Sequence, residues 1–233
     1  GAGKTMLARR FSTILPDMTL EESIETTRVH SVAGVLTGAA PLVIERPFRS
    51  PHHTISDIGL IGGGRLPRPG EVSLAHNGVL FLDEMPEFGK KKLEVLRQPI
   101  EDGSVSVTRS SITVSYPAVF TLIGAMNPCP CGYLGDAKKE CVCPPNQVEA
   151  HRARLSGPLL DRIDIHCEVP QVRFRHLKEG GTGETSVQVR GRVNNARAVQ
   201  SGRFKGAAGK GFFSNSRMGS REIKELCRIT KEG

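Results

Sequence analysis

Four groups of residues carry the chemistry open to this chain. Gly1-Ala2-Gly3-Lys4-Thr5 puts glycine, a cation and a hydroxyl in a row, and Asp83-Glu84 puts two carboxylates directly after the apolar run Val79-Leu80-Phe81-Leu82. Asn127 follows a second apolar run, Val119–Ala125, and Cys129-Pro130-Cys131 with Cys141-Val142-Cys143 forms two C-x-C pairs nine residues apart. Gly3, Lys4 and Thr5 fit the last three positions of G-x-x-x-x-G-K-[ST], a loop whose backbone N–H groups cradle phosphates. In such a loop the lysine reaches the β- and γ-phosphates and the hydroxyl ligates Mg²⁺. Four thiolates can enclose a tetrahedral structural Zn²⁺ and order a loop around it. The alternative for the same spacing is four reduced cysteines at the surface.

These groups need elements to position them. Val79–Leu82, apolar without alternation, predicts a strand buried on both faces of a mostly parallel sheet. Ligands of such sheets gather at the carboxyl ends of the strands, where Asp83 and Glu84 stand. Val119–Ala125 predicts a second buried strand ending beside the first, which would bring Asn127 near the two carboxylates. Leu7, Phe11 and Ile14 predict a helix after the glycine loop, ended by Pro16. Asp17–Thr27 reads as a second helix with Leu20 and Ile24 inward and Glu21, Glu22 and Glu25 outward. Leu93, Leu96 and Ile100 give a stripe on a helix beginning near Glu87, with Lys90-Lys91-Lys92 on its solvated side. Val105 and Val107, then Ile112, Val114 and Tyr116, alternate with polar residues around Arg109-Ser110-Ser111, a hairpin signal.

Residues 31–75 hold too much Gly and Pro for regular elements. Arg46, Arg49, Arg65 and Arg68 make this stretch either a contact for phosphate backbones or a solvated loop. His52-His53 lacks a third ligand nearby and reads as a hydrogen-bonding pair. Val189 and Val193, then Ile223, Leu226 and Cys227, suggest helices in the last quarter.

The 233 residues carry a formal charge of +8, unevenly spread. Residues 171–233 hold 14 Lys/Arg against 5 Asp/Glu, while residues 1–170 hold 18 against 19. A basic C-terminal quarter beside a neutral core favours a polyanionic partner, or is a solvated tail. No run approaches the roughly 18 apolar residues of a membrane span. No signal peptide is visible, and six cysteines with C-x-C spacing suggest a reducing cytoplasm. The first residue is not Met and the motif's first glycine would precede it, so the chain reads as a fragment.

Taken together, Gly1–Arg10, His30–Gly34, Arg46–Thr54, Gly62–Glu87, Leu96–Gly103, Gly124–Gly135 and Leu155–Pro170 resemble the Mg-chelatase-like AAA+ ATPases, most closely their ComM/YifB group. The run from Pro69-Gly70-Glu71 through His76-Asn77-Gly78 to Asp83-Glu84 is the specific part, and the tail from 171 matches more loosely. The resemblance implies an α/β, three-layer P-loop NTPase sandwich with a parallel sheet over residues 1–170, followed over 171–233 by the start of a helical lid. It implies ATP phosphates on Gly1, Ala2, Gly3, Lys4 and Thr5, and Mg²⁺ on Thr5 and Asp83. Glu84 would polarise the attacking water, Asn127 is similar to the sensor-1 residue, and Arg162 in Leu-Leu-Asp-Arg-Ile-Asp is similar to an arginine finger acting in a neighbouring subunit. Members of the group form hexameric rings and are regarded as DNA helicases promoting branch migration in recombination and natural transformation. The hairpin at 104–116 looks like the pre-sensor-1 insertion, with Arg109 as a DNA-contacting side chain, and residues 31–75 overlap the helix-2 insertion.

Two other readings stay open. A magnesium-chelatase motor uses the same ATPase parts to help insert Mg²⁺ into a porphyrin. A nucleotide-gated scaffold would bind ATP without hydrolysis and would have no use for Glu84, Asn127 and Arg162.

Overall fold

The computed structural model describes residues 3–36, 42–109, 112–136, 138–169, 183–204 and 214–227, with backbone only at Arg109, Ile112 and Arg217. Among them, three parallel strands form a sheet in the order β1 (Phe48–Arg49), β4 (Gly78–Leu82), β7 (Phe120–Gly124). Every residue of β4 is buried. Leu80 and Leu82 enter a cluster with Met85, Phe88, Leu93, Leu96, Leu155 and Leu159. Val79 and Phe81 point to the opposite face, as strand alternation requires, and Phe81 packs its ring 6.0 Å from that of Phe48. The unbroken apolar run is thus the centre strand of a parallel α/β sheet with helices packed against it.

β7 lies where the run Val119–Ala125 places it, but the expected burial is not found: Phe120, Leu122 and Ile123 are half-buried and Thr121 and Gly124 exposed. The reason is position: β4 covers one side of β7, and no described strand covers the other. Two glycines make room for close neighbours. A Cβ on Gly78 would lie 2.1 Å from the Pro47 carbonyl oxygen, the acceptor for the Val79 N–H. A Cβ on Gly124 would lie 2.5 Å from Met85 Sδ.

The first helix, α1, spans Lys4–Phe11 and passes into a 3-10 turn at Ser12–Ile14. Its expected apolar face is not the buried one. Leu7 is 53% exposed, and the small residue Ala8 is the buried contact. The second helix, α2 (Leu20–Ala33), starts later than expected, where Thr19 and Glu22 form a reciprocal capping box, and runs on past Thr27 until Gly34 closes it in the left-handed region. Leu20 is exposed, while Ser23, Thr26 and Val29 face inward. This inward face is polar because it packs on a polar layer. The Asn77 side chain donates to Glu22 O and Thr26 Oγ1, and Arg46 donates to both Glu22 Oε2 and Asn77 O. The His76 ring, 2% exposed, accepts the Val119 N–H at Nδ1 and therefore donates from Nε2 toward Glu25.

The stretch expected to lack regular elements contains several short ones: β1, α3 (Asp57–Ile61), the antiparallel pair β2 (Gly62–Gly63) and β3 (Arg68–Pro69), and α4 (Glu71–Leu74). Its arginines divide. Arg46 and Arg49 are held in ion pairs with Glu22 and Glu71, so they serve the fold rather than a ligand, whereas Arg65 and Arg68 are exposed. The single helix expected from Glu87 is broken into a 3-10 turn (Met85–Phe88), α5 (Lys90–Glu94) and α6 (Arg97–Asp102). Gly89 at φ 77° makes the first break, and the inward stripe survives with Leu93 and Leu96 buried. The hairpin forms as expected from β5 (Ser104–Arg109) and β6 (Ile112–Pro117), with Val105, Val107 and Tyr116 buried. Beyond β7 follow α7 (Pro145–Arg152) and α8 (Gly157–Leu160).

Residues 13–17 belong with the C-terminal residues in a separate compact unit. There α9 (Ser186–Phe204) and α10 (Ser220–Leu226) take in the four apolar positions expected to mark helices, with Cys227 capping the second. Thr13 Oγ1 donates to Ser186 Oγ at 2.9 Å, and Asn194 exchanges hydrogen bonds with Asp17. No helix among the described residues is long and apolar enough to cross a membrane.

Candidate active site

The site lies at the carboxyl end of the parallel sheet. β4 and β7 run in register from Gly78–Phe120 to Leu82–Gly124, and the ladder continues past them through Ala125 N–H to Leu82 O and Met85 N–H to Ala125 O. Asp83 and Glu84 therefore leave one strand beside the point where Ala125, Met126 and Asn127 leave the other. α1 starts against these ends. Gly3 adopts φ 72°, a left-handed conformation that a side chain disfavours, and so turns the chain into the helix. The first turn of a helix leaves its N–H groups without intrahelical partners, a ready site for anions.

The side chains converge. Lys4 Nζ donates to Asn127 Oδ1 at 2.9 Å, and Thr5 Oγ1 donates to Asp83 Oδ2 at 2.6 Å. Asp83 Oδ1 accepts the Glu84 N–H at 3.0 Å. Gly3, Lys4, Thr5, Met6, Asp83, Glu84, Ala125, Met126 and Asn127 line one cleft of about 450 Å³. All of the expected phosphate, Mg²⁺, water-activating and sensor residues that are described meet there. Gly1 and Ala2 lie outside the described residues.

Glu84 sits at φ 50°, left-handed for a residue with a side chain, and its carboxylate is 59% exposed, 3.8 Å from His53 Nδ1. A left-handed non-glycine residue is strained and is concentrated at functional sites. His53 was legible as half of a His-His pair, but only the pairing of β1 with β4 brings the end of one strand to that of the other. His52, its neighbour, engages Thr54 Oγ1 at 2.9 Å, which fits the hydrogen-bonding reading of the pair.

Arg162 stands apart. Among the described residues its side chain pairs with Glu101 and the Pro158 carbonyl of its own chain, and it does not enter the cleft. Arg109 closes the hairpin, opposite Ile112, and its side chain, with Ser110 and Ser111, lies outside the described residues.

Immediately beyond Asn127 the four cysteines meet. Their sulfur atoms all lie within 4.8 Å of one another, with Cys129–Cys131 at 3.4 Å and Cys141 at 3.6 Å from both. A tetrahedral ion with Zn–S of about 2.3 Å sets its sulfurs about 3.8 Å apart, so the donor set fits. Disulfides, at about 2.0 Å, are not formed. The Tyr133 backbone N–H, with help from neighbouring groups, pulls the Cys131 thiol down to about 6. At Cys141 the Cys143 backbone N–H pulls downward, but desolvation and the Cys131 and Cys129 sulfurs outweigh it, and that thiol is pushed up to about 12. Cys167 and Cys227 are exposed and outside the cluster.

A residue with no sequence signal completes the neighbourhood. His151 of α7, 7% exposed, donates from Nε2 to the Asn127 carbonyl at 3.1 Å. Nothing in its spacing marks it, because the contact depends on how α7 returns to the sheet.

The family model for magnesium chelatase, subunit ChlI, matches residues 1–177. The competence protein ComM of Haemophilus influenzae is 45% identical over 98% of this chain and 43% of its own length. The uncharacterized protein YifB of Escherichia coli is 43% identical over 100% of the chain and 44% of its own. The magnesium-chelatase 67 kDa subunit of Chlorobaculum parvum is 28% identical over 55% of the chain and 18% of its own. The chain thus spans less than half the length of each of these relatives.

Proposed function

The chain belongs to the Mg-chelatase-like AAA+ family, and on that premise we propose that it is the ATP-hydrolysing part of a ComM-type motor. The observation that carries the reading is the meeting of Lys4 with Asn127 and of Thr5 with Asp83 at the ends of two parallel strands. Lys4 and the first-turn N–H groups of α1 would bind the phosphates. The Thr5 hydroxyl and Asp83 carboxylate, hard oxygens 2.6 Å apart, suit Mg²⁺, which when bound offsets the charge on the β- and γ-phosphate oxygens. Glu84, exposed at the mouth, would accept hydrogen bonding from the attacking water, and Asn127 would exchange Lys4 for a γ-phosphate oxygen or that water. Phosphoryl transfer needs this positioning and charge stabilisation more than covalent chemistry. Arg162, released from Glu101 at a subunit contact, would supply a cation to the neighbour's site and make hydrolysis depend on a hexameric ring.

The substrate we propose is branched or single-stranded DNA, translocated during branch migration in the cytoplasm, with Arg109 at the hairpin tip as a contact. Residues 1–170 would be the ATPase core and 171–233 the start of its lid. The cysteine cluster would hold one structural Zn²⁺. The relative named as a magnesium-chelatase subunit keeps a second reading in view, a motor for metal insertion into a porphyrin. The test is ATP hydrolysis by the full-length protein at fixed salt, with and without branched and single-stranded DNA, and with Glu84→Gln as the blank. Stimulation by DNA that Glu84→Gln removes is expected. Glu84-dependent hydrolysis indifferent to DNA would favour the chelatase type, and binding without hydrolysis would leave a nucleotide-gated scaffold.

A further inference from the structure

The four cysteines come from two segments, one that follows Asn127 directly in the chain and one that leads into the helix bonded to its carbonyl. Cys129 and Cys131 lie two and four residues beyond it, and Gly132, turned back at φ 80° with its N–H on the Cys129 carbonyl, stands close enough that a Cβ there would lie 3.8 Å from Asn127 Cγ. Cys141 and Cys143 lead directly into Pro144, the cap of α7, and α7 carries His151, which donates to the Asn127 carbonyl at 3.1 Å. The two segments are separated by nine residues, 132–140, of which Gly135, Lys138, Lys139 and Glu140 are exposed. Cys129 itself is fully buried, so the cluster begins inside the fold and not on a free arm.

We propose that a zinc ion in this cluster is the clamp that fixes Asn127 at the nucleotide site, so that metal loading sets the rate of ATP hydrolysis while leaving ATP binding nearly untouched. One ion joins the loop that follows Asn127 to the helix that grips its carbonyl. Without it, the two segments are tied to each other by the chain and by the His151–Asn127 hydrogen bond. Lys4 and Thr5, read as the phosphate-binding residues, sit on α1, outside the two segments that the ion joins, and Lys4 meets Asn127 only through a side-chain contact that nucleotide would displace. The effect therefore falls on the step that needs Asn127 and spares affinity. This inference rests on reading the cluster as a zinc site and Asn127 as a group at the γ-phosphate.

The test uses the full-length protein, purified without added metal, and begins with its zinc content. One zinc per chain is expected; none, with four titratable thiols, would overturn both the zinc reading and the clamp. Zinc is then removed with a chelator, and circular dichroism, affinity for a fluorescent ATP analogue and hydrolysis are followed. The clamp predicts hydrolysis lowered roughly 10- to 100-fold, affinity within about twofold, and recovery on adding Zn²⁺. Unchanged hydrolysis with zinc removed would overturn the clamp and leave the zinc site standing. Asn127→Ala separates a specific effect from general unfolding: its residual hydrolysis should be indifferent to zinc, and the same fold-loss as in the wild type would overturn the proposal. His151→Ala keeps all four thiols and should retain one zinc while slowing hydrolysis; wild-type turnover in that variant would also count against the clamp. No hydrolysis by the zinc-loaded wild type would instead remove the hydrolase reading, and the inference with it.

Discussion

Lys4 Nζ and Asn127 Oδ1, 123 positions apart in the chain, lie 2.9 Å from each other. The ammonium that follows the glycine loop is held by the carboxamide at the end of the neighbouring strand. On the proposed reading nucleotide would displace that contact, and the two partners would then serve different steps. Lys4→Ala should weaken binding of a fluorescent ATP analogue by about 10- to 100-fold, the loss of a charged hydrogen bond. Asn127→Ala should leave that affinity within about threefold and lower hydrolysis by about 10- to 100-fold. Equal effects of both substitutions on affinity would place Asn127 among the binding groups.

Glu84→Gln keeps the shape of the side chain and removes its basicity. Hydrolysis should fall by about 10²- to 10⁴-fold, the range for loss of a general base, with ATP affinity retained. A single-turnover assay distinguishes this from slow product release. Normal single-turnover chemistry in the variant would exclude Glu84 as the water-activating group.

The ion pair of Arg46 with Glu22 leaves 10% and 16% of those side chains exposed, and Arg46 also donates to the Asn77 carbonyl. Removing one member of a buried pair strands the other. Arg46→Ala should destabilise by about 3–5 kcal/mol. The urea midpoint measures it, and a loss under 1 kcal/mol would mean that water replaces the guanidinium.

Gly78→Ala and Gly124→Ala should differ although both lie on the sheet. At Gly78 the new methyl meets the Pro47 carbonyl, a backbone acceptor already used by Val79, so the strands must separate. A loss of about 3 kcal/mol or more is expected. At Gly124 it meets Met85 Sδ, a side-chain atom that can move, and about 1–2 kcal/mol is expected, relieved in combination with Met85→Ala. Thermal or urea unfolding of the three variants checks the order.

The Ser156 hydroxyl, then Arg97, holds the Glu94 carboxyl below its ordinary 4.5. Because the folded value is the lower one, the contribution is complete above the ordinary value and is lost as pH falls through the lowered one. Ser156 also caps α8, the helix before Arg162. Glu94→Gln should therefore flatten the acid limb of a stability profile below about pH 4.5, with little change in slope at neutral pH. An unchanged acid limb would show that the pair does not persist in solution.

Much of this site was legible without coordinates, because its parts are local. A glycine, lysine and threonine in a row state their chemistry, and a four-residue apolar run ending in two carboxylates states both its burial and where its polar end must lie. The hairpin was equally legible from alternation. What failed was the inward face of α1 and α2, because apolar spacing marks only faces that meet an apolar partner. α2 instead packs Ser23 and Thr26 onto a polar layer of Arg46, Asn77 and His76. The arginines of residues 31–75 looked alike in sequence and became two kinds only when Glu22 and Glu71 took two of them.

The sequence by itself determined the family, the central strand and the identity of the groups at its end, since residue type and short-range spacing suffice for those. Tertiary structure decided which groups meet. The parallel pairing of β4 with β7 set Asn127 against Lys4, and the pairing of β1 with β4 brought His53 to Glu84. The return of α7 laid His151 on the Asn127 carbonyl and drew two cysteine pairs into one cluster. Those are contacts between distant segments, fixed by strand order and register, and no local pattern encodes them.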